Sequence, residues 1–142
     1  MTREEFQELY SKRILPQSKI PYHFHIPENH DASVEAYNPL CGDKYTLFIR
    51  NAAETIEEAH YHGFGCAVSK ASTSILLKSI EGKDREKAKE MILNFLVRVD
   101  GKSDQPLSEE DMELLCELRT FNGRLDCVKL SWVAMSNYLS KK

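Results

Sequence analysis

Residues 44–50 set Tyr45, Leu47 and Ile49 on one side of the chain and Thr46, Phe48 and Arg50 on the other. A period of two specifies a strand and fixes which face enters a core. Two neighbouring stretches share it. Residues 33–38 place Val34 and Ala36 on one face, and residues 55–62 bring Ala59 and Tyr61 into phase. Between the second and third stretches, Asn51-Ala52-Ala53-Glu54 reads as a hairpin turn. Ile56 falls out of phase, a lapse that a β-bulge would correct. Together these segments predict a three-stranded antiparallel meander.

Gly63-Phe64-Gly65 is expected to break the third strand, and the period from there on is helical. A helix is predicted over 66–80, with the small residues Ala67, Ser69, Ala71, Ser72 and Ser74 allowing close approach to the sheet. Residues 83–99 are the clearest amphipathic segment, carrying Ala88, Met91, Ile92, Phe95, Leu96 and Val99 on one face. A further helix opens near Ser108 and turns Met112, Leu114, Leu115, Leu118 and Phe121 inward. Asn122-Gly123 should stop it, and a last helix covers 125–139. Ahead of the strands, Thr2 and Glu5 form a capping box, and the helix they start should end near Leu15, because Pro16 cannot continue it. Residues 17–31 read as a long irregular connection. The fold class is α+β, a β-meander with about five helices packed around it.

At 142 residues the chain suits a single domain spanning 1–142. Nineteen basic and twenty-two acidic residues are spread without a basic stripe, which argues against nucleic acid. No apolar run reaches the roughly 18 residues of a membrane span. Met1-Thr2-Arg3-Glu4-Glu5 is acidic where a signal peptide starts basic, so a cytoplasmic protein is expected. In that compartment four cysteines favour metal or redox chemistry over structural disulfides.

Three cysteines fall where the chain changes direction. Cys41 and Asp43 flank Gly42 in the first turn of the meander, a thiol and a carboxylate close enough to share one ion. Cys66 follows Gly63-Phe64-Gly65 at a helix start, where amide N–H groups and the helix dipole favour a thiolate. Cys127 opens the last helix in the same way. Twenty-two residues separate Asp43 from Cys66 and sixty separate Cys66 from Cys127, so no zinc-finger spacing applies. Cys116, inside an amphipathic helix, reads as core filler. Asp43 has an alternative as a turn residue bonding its own backbone. The pairs His23/His25 and His60/His62 read as exposed residues, with two-nitrogen metal binding as the alternative.

The motifs Asn38-Pro39-Leu40-Cys41-Gly42-Asp43, Gly63-Phe64-Gly65-Cys66-Ala67-Val68-Ser69-Lys70-Ala71-Ser72 and Arg124-Leu125-Asp126-Cys127-Val128-Lys129-Leu130-Ser131-Trp132 resemble the IscU/NifU-like iron–sulfur cluster assembly family. More closely they resemble its SufU-type zinc-dependent sulfurtransferases. Scaffolds of the family carry a histidine before the third cysteine and a Leu-Pro-Pro-Val-Lys motif upstream. Here Asp126 precedes Cys127, and 120–126 contains no such motif. The stretch from Cys66 to Cys127 is also longer by a helix, as in the SufU type.

The resemblance implies an α+β fold and a Zn²⁺ held by Cys41, Asp43, Cys66 and Cys127. It implies a cysteine desulfurase, a pyridoxal-phosphate enzyme, as sulfur donor and the downstream iron–sulfur assembly complex as receiver. Cys41, on the loop freest to move, becomes the persulfide acceptor. Arg124 matches an arginine of that type and supplies a cation beside three thiolates and a carboxylate. The alternatives are a scaffold that builds and transfers a [2Fe–2S] cluster, and a structural zinc protein.

Overall fold

A computed structural model describes residues 1–40, 42–121 and 125–141, with backbone alone at 119–121. In chain order the elements are α1 (Arg3–Leu9), a π-helical turn (Tyr10–Ile14), α2 (Pro16–Lys19), β1 (Ala32–Asn38), β2 (Asp43–Ala52), β3 (Thr55–Phe64), α3 (Ala67–Ile80), α4 (Arg85–Val99), α5 (Glu110–Phe121) and α6 (Leu125–Ser140). The strands form the predicted meander in the order β1-β2-β3, both pairs antiparallel.

Its inner face is the one the alternation selects. Val34, Ala36, Tyr45, Leu47, Ile49, Ala59 and Tyr61 are all buried. The bulge is present: Arg50 pairs with Glu58 but Asn51 pairs with Ile56, leaving Glu57 as the extra residue. That extra residue returns Ile56 to the core, where it is fully buried. A hairpin turn at Ala53-Glu54 joins the two strands, with Ala53 at φ 55°.

Two expectations need correction. β3 does not break at Gly63 but pairs through it, Tyr45 with Gly63 and Lys44 with Phe64. Glycine is what permits this: φ is +142°, and a Cβ there would lie 2.1 Å from the Lys44 carbonyl oxygen. The N-terminal helical run ends at Ile14, as expected, but the connection after it is not irregular from its start. Leu15 is helical (φ −55°, ψ −39°) and Pro16 is the first residue of α2. A proline ring in an unbroken α-helix collides with the carbonyl four residues back. The wider π turn, closed by Leu15 N–H donating to the Tyr10 carbonyl at 3.0 Å, relieves that collision, and Pro16 needs no N–H at a helix start. The capping box itself forms, with Glu5 N–H donating to Thr2 Oγ1 at 3.1 Å and Thr2 N–H to Glu5 Oε1 at 3.0 Å.

Helix α3 is the central rod. Eleven of its fourteen residues are buried, so it meets neighbours on almost every side. Hydroxyls serve as its contact groups. Tyr45 and Ser69 share a hydrogen bond at 2.7 Å, as do Tyr61 and Ser74, which ties α3 to the sheet. On its other side Ser72 Oγ donates to the Val128 carbonyl at 2.6 Å and accepts Trp132 Nε1–H at 2.8 Å, which ties it to α6. Trp132 in turn stacks on Phe95 of α4 at 3.8 Å between centroids. The small residues therefore serve two interfaces, the sheet and α6. Helix α5 buries Met112, Leu114, Leu115 and Leu118 as predicted, and Cys116 is buried beside them. Asn122-Gly123 lies outside the described residues, as does the side chain of Phe121.

Among the described residues no helix is long and apolar enough to cross a membrane. Part of the 17–31 connection is ordered against the sheet: Phe24 bridges to Tyr61, and Tyr61 N–H donates to the His23 carbonyl at 3.1 Å. This short run lies along the free edge of β3, where it caps peptide groups that would otherwise be exposed.

Candidate metal centre

Asp43, Cys66 and Cys127 come together at one end of the sheet. Their ligand atoms all lie within 4.8 Å of one another. Each arrives from a different element. Asp43 is the first residue of β2 and falls in the same phase as Tyr45, Leu47 and Ile49, so its carboxylate points inward and is buried. Ahead of it the chain turns tightly. Gly42 N–H donates to the Asn38 carbonyl at 2.8 Å, Leu40 N–H donates to Asn38 Oδ1 at 3.1 Å, and Gly42 has φ +78°. Glycine reaches that left-handed region without a Cβ penalty.

Cys66 is the N-cap of α3, extended at φ −72° and ψ 166°. Its sulfur accepts the Ser69 N–H at 3.4 Å, as Ser or Asp oxygens do at other helix starts. Its own N–H donates to Asp43 Oδ1 at 3.1 Å, and its sulfur lies 3.7 Å from Asp43 Oδ2. Cys127 is the third residue of α6 and is buried.

Gly65 holds the cradle open. A Cβ at this position would lie 2.3 Å from Tyr45 Oη, 2.6 Å from Ser69 Oγ and 2.9 Å from Asp43 Oδ1. No residue but glycine fits without moving the carboxylate or the hydroxyls behind Cys66. The Tyr45 phenol, hydrogen-bonded to Ser69, has its pKa pushed well up, first by burial and also by the nearby Asp43 carboxylate. It therefore stays neutral and serves as a fixed hydrogen-bonding wall.

The donor set suits a borderline-soft divalent ion. Two sulfurs and a carboxylate oxygen are ligands zinc accepts together, at about 2.3 Å and 2.0–2.2 Å respectively. Three ligand atoms within 4.8 Å need only modest contraction to reach one ion. Cys41 and Arg124, the other two predicted site residues, lie outside the described residues. Asp43 is not limited to the alternative role of bonding its own turn, because its carboxylate reaches 23 positions along the chain to Cys66.

The surroundings are apolar and open on one side. Tyr37, Leu40 and Phe64, each from a segment flanking the centre, are exposed by 58%, 90% and 65%. A groove of 430 Å³ runs between β1 and α6, with Tyr37, Asn38 and Pro39 on one wall and Asp126, Lys129 and Val133 on the other. Sequence reasoning missed Gly65 and Ser69 as site residues. A glycine directly before a helix-capping cysteine was the available signal for the first.

Residues 9–114 match the NifU-like N-terminal domain. The zinc-dependent sulfurtransferase SufU of Bacillus subtilis is 33% identical over 135 residues, covering 94% of this chain and 91% of that protein. The iron–sulfur cluster assembly scaffold protein IscU of Streptococcus pyogenes is 29% identical, covering 99% of this chain and 89% of its own. Among solved structures, a candidate assembly scaffold for the SUF system of Fervidobacterium islandicum superimposes with a TM-score of 0.85 at 28% identity, covering 94% of this chain and 98% of that one. The meander, the converging aspartate and cysteines, and these matches all agree: the chain belongs to the NifU-like N-terminal domain family.

Proposed function

We propose that this chain works in iron–sulfur cluster assembly as a zinc-bound sulfur acceptor, an enzyme of the sulfurtransferase class. The observation that carries the reading is the convergence of Asp43, Cys66 and Cys127. The Bacillus subtilis relative, named as a zinc-dependent sulfurtransferase, supports it. Asp43, Cys66 and Cys127 retain the ion and Cys41 completes the set. When bound, Zn²⁺ holds thiols deprotonated and adds no redox chemistry of its own.

The donor is the persulfide of a cysteine desulfurase. The Cys41 thiolate attacks the outer sulfur of that persulfide, forming a new S–S bond as the old one breaks. The donor cysteine leaves as a thiolate and Cys41 carries the persulfide, with no net oxidation. Arg124 offsets the negative charge that gathers among these thiolates. Tyr37, Leu40 and Phe64 form an apolar rim on which the desulfurase docks, since sulfur passes only between atoms in contact. The downstream assembly complex receives it.

Two measurements test the reading. Metal analysis of the chain purified under reducing conditions should give one tightly held zinc. A desulfurase assay should show faster turnover with the wild-type chain and none of that acceleration with Cys41→Ala. Wild-type acceleration by Cys41→Ala sinks the proposal. The scaffold reading, favoured by the IscU relative, predicts iron with labile sulfide in place of zinc. A zinc-holding chain that leaves the desulfurase unaffected is a structural zinc protein.

A further inference from the structure

Two tyrosine–serine pairs join α3 to the sheet, and they differ in where the serine leads. Tyr45–Ser69 and Tyr61–Ser74 each share a hydrogen bond of 2.7 Å, and all four residues are buried. Ser74 leads towards the N-terminal connection, where its Oγ accepts the Tyr22 N–H at 3.1 Å. Ser69 leads to the metal centre. Its Oγ donates to the Cys66 carbonyl at 3.1 Å and lies 3.6 Å from the Cys66 sulfur.

A serine hydroxyl has one proton to donate and two lone pairs that accept. Ser69 spends its proton on the Cys66 carbonyl, so the 2.7 Å bond is donated by Tyr45, whose phenol burial keeps protonated. The Ser69 backbone N–H donates to the same sulfur at 3.4 Å. The Ser69 hydroxyl therefore stands between two acceptors of Cys66, its carbonyl and its sulfur. A ligating sulfur is a thiolate, and a hydrogen bond to an ionised group is about twice as strong as a neutral one. Rotation about the Cβ–Oγ bond moves the proton from carbonyl to sulfur while Tyr45 holds the oxygen still. Gly65 keeps clear the space that both hydroxyls occupy.

We propose that Ser69, steadied by Tyr45, is a positioning residue for the metal: its O–H and N–H both donate to the Cys66 thiolate and hold that sulfur facing Asp43 and Cys127. The inference rests on the zinc centre proposed above and assigns the groups behind one of its ligands.

Chelator competition for zinc and the thiolate-to-metal charge-transfer band of the Co²⁺-loaded chain test this together. Ser69→Ala should hold zinc about 10-fold more weakly and shift the cobalt band, since one donor to the sulfur is gone. Tyr45→Phe keeps the ring and should move both readouts the same way, by less. Ser74→Ala removes the matching hydroxyl of the other pair. It should lose stability as Ser69→Ala does, yet keep wild-type zinc affinity and the wild-type band. A structural role for Ser69 would make the two serine variants alike. Wild-type affinity and band in Ser69→Ala, or equal losses in Ser74→Ala, would overturn the proposal. If Ser69→Ala fails to fold, Tyr45→Phe decides by the same two readouts. A wild-type chain that binds neither metal overturns the zinc centre and this inference with it. Zinc held equally by wild type and Ser69→Ala overturns the inference alone.

Discussion

Asp43 and Cys66 are held to each other twice: the Cys66 N–H donates to Oδ1 of Asp43 at 3.1 Å, while the Cys66 sulfur lies 3.7 Å from Oδ2. The first contact sets the backbone at the start of α3, and the second aligns two donor atoms. One buried carboxylate therefore orders the centre before any ion is bound.

Asp43→Ala and Asp43→Asn should part in consequence. Alanine leaves the Cys66 N–H without its acceptor and should cost about 1–2 kcal/mol of stability. Asparagine keeps an acceptor for that N–H but loses the charged ligand. Urea denaturation should find the asparagine variant near wild type, while competition with a chelator should find zinc held more weakly in both. Equal stability of the alanine variant and wild type would remove Asp43 from the framework of the site.

Gly65→Ala should damage the centre more than Gly42→Ala. At Gly65 the new methyl would lie within 3 Å of Tyr45 Oη, Ser69 Oγ and Asp43 Oδ1, and overpacking of this kind costs about 1–3 kcal/mol. At Gly42 nothing lies within 4 Å, and the cost is the backbone strain of φ +78°, about 1–2 kcal/mol. Both variants lose stability, but only Gly65→Ala displaces Asp43, a proposed zinc ligand. Zinc content per folded chain separates them: reduced in Gly65→Ala, retained in Gly42→Ala.

These glycines show where the sequence was informative and where it was not. The meander was legible because Tyr45, Leu47 and Ile49 alternate, and the bulge because Ile56 breaks phase. Asp43 was legible as a motif residue in a turn, but not as the first residue of β2, whose inward phase buries its carboxylate. The course of the chain through Gly63 and Pro16 was not. Glycine usually ends a strand, yet β3 passes through Gly63 beside the Lys44 carbonyl, and after the π turn Pro16 starts a new helix where an irregular connection was expected. The meeting of Asp43, Cys66 and Cys127 has no local pattern at all. Gaps of twenty-two and sixty residues are closed by tertiary packing, so only resemblance of the motifs anticipated it.

Buried hydroxyls tie α3 to α6: Thr73 shares a hydrogen bond with Ser131 at 2.7 Å, and Ser72 makes two bonds. Ser72 Oγ accepts the indole N–H of the fully buried Trp132 and donates to the Val128 carbonyl, one residue beyond Cys127. Ser72→Ala should therefore leave a buried N–H and a buried carbonyl each short of a partner, at a cost of about 1–3 kcal/mol. The Trp132 fluorescence spectrum should shift with the lost hydrogen bond, and the urea midpoint should fall. Because α6 carries Cys127, zinc retention should weaken alongside stability. An unchanged midpoint would show that water replaces the serine without cost.

Alkaline pH should destabilise the chain, chiefly through the buried Tyr61. Burial raises the Tyr61 pKa from 10.0 to about 12, and Tyr22 rises to about 12 through burial and its bond to Glu81. The unfolded chain releases these protons near pH 10 while the folded chain keeps them, so above that pH the unfolded state binds fewer protons. Stability then falls as pH rises, by up to about 1.4 kcal/mol per pH unit for Tyr61 until its folded pKa is reached, and by less for the half-buried Tyr22, where solvent screens the effect. Tyr61→Phe separates this linkage from simple loss of contacts. It should cost about 1 kcal/mol at neutral pH, having lost the bonds to the Lys70 carbonyl and Ser74. Between pH 10 and about 12 its urea midpoint should decline less steeply than that of wild type, because one ionising group is gone. Parallel declines would mean that Tyr61 ionises alike in both states, and the burial of its hydroxyl beneath α3 would then have no bearing on alkaline stability.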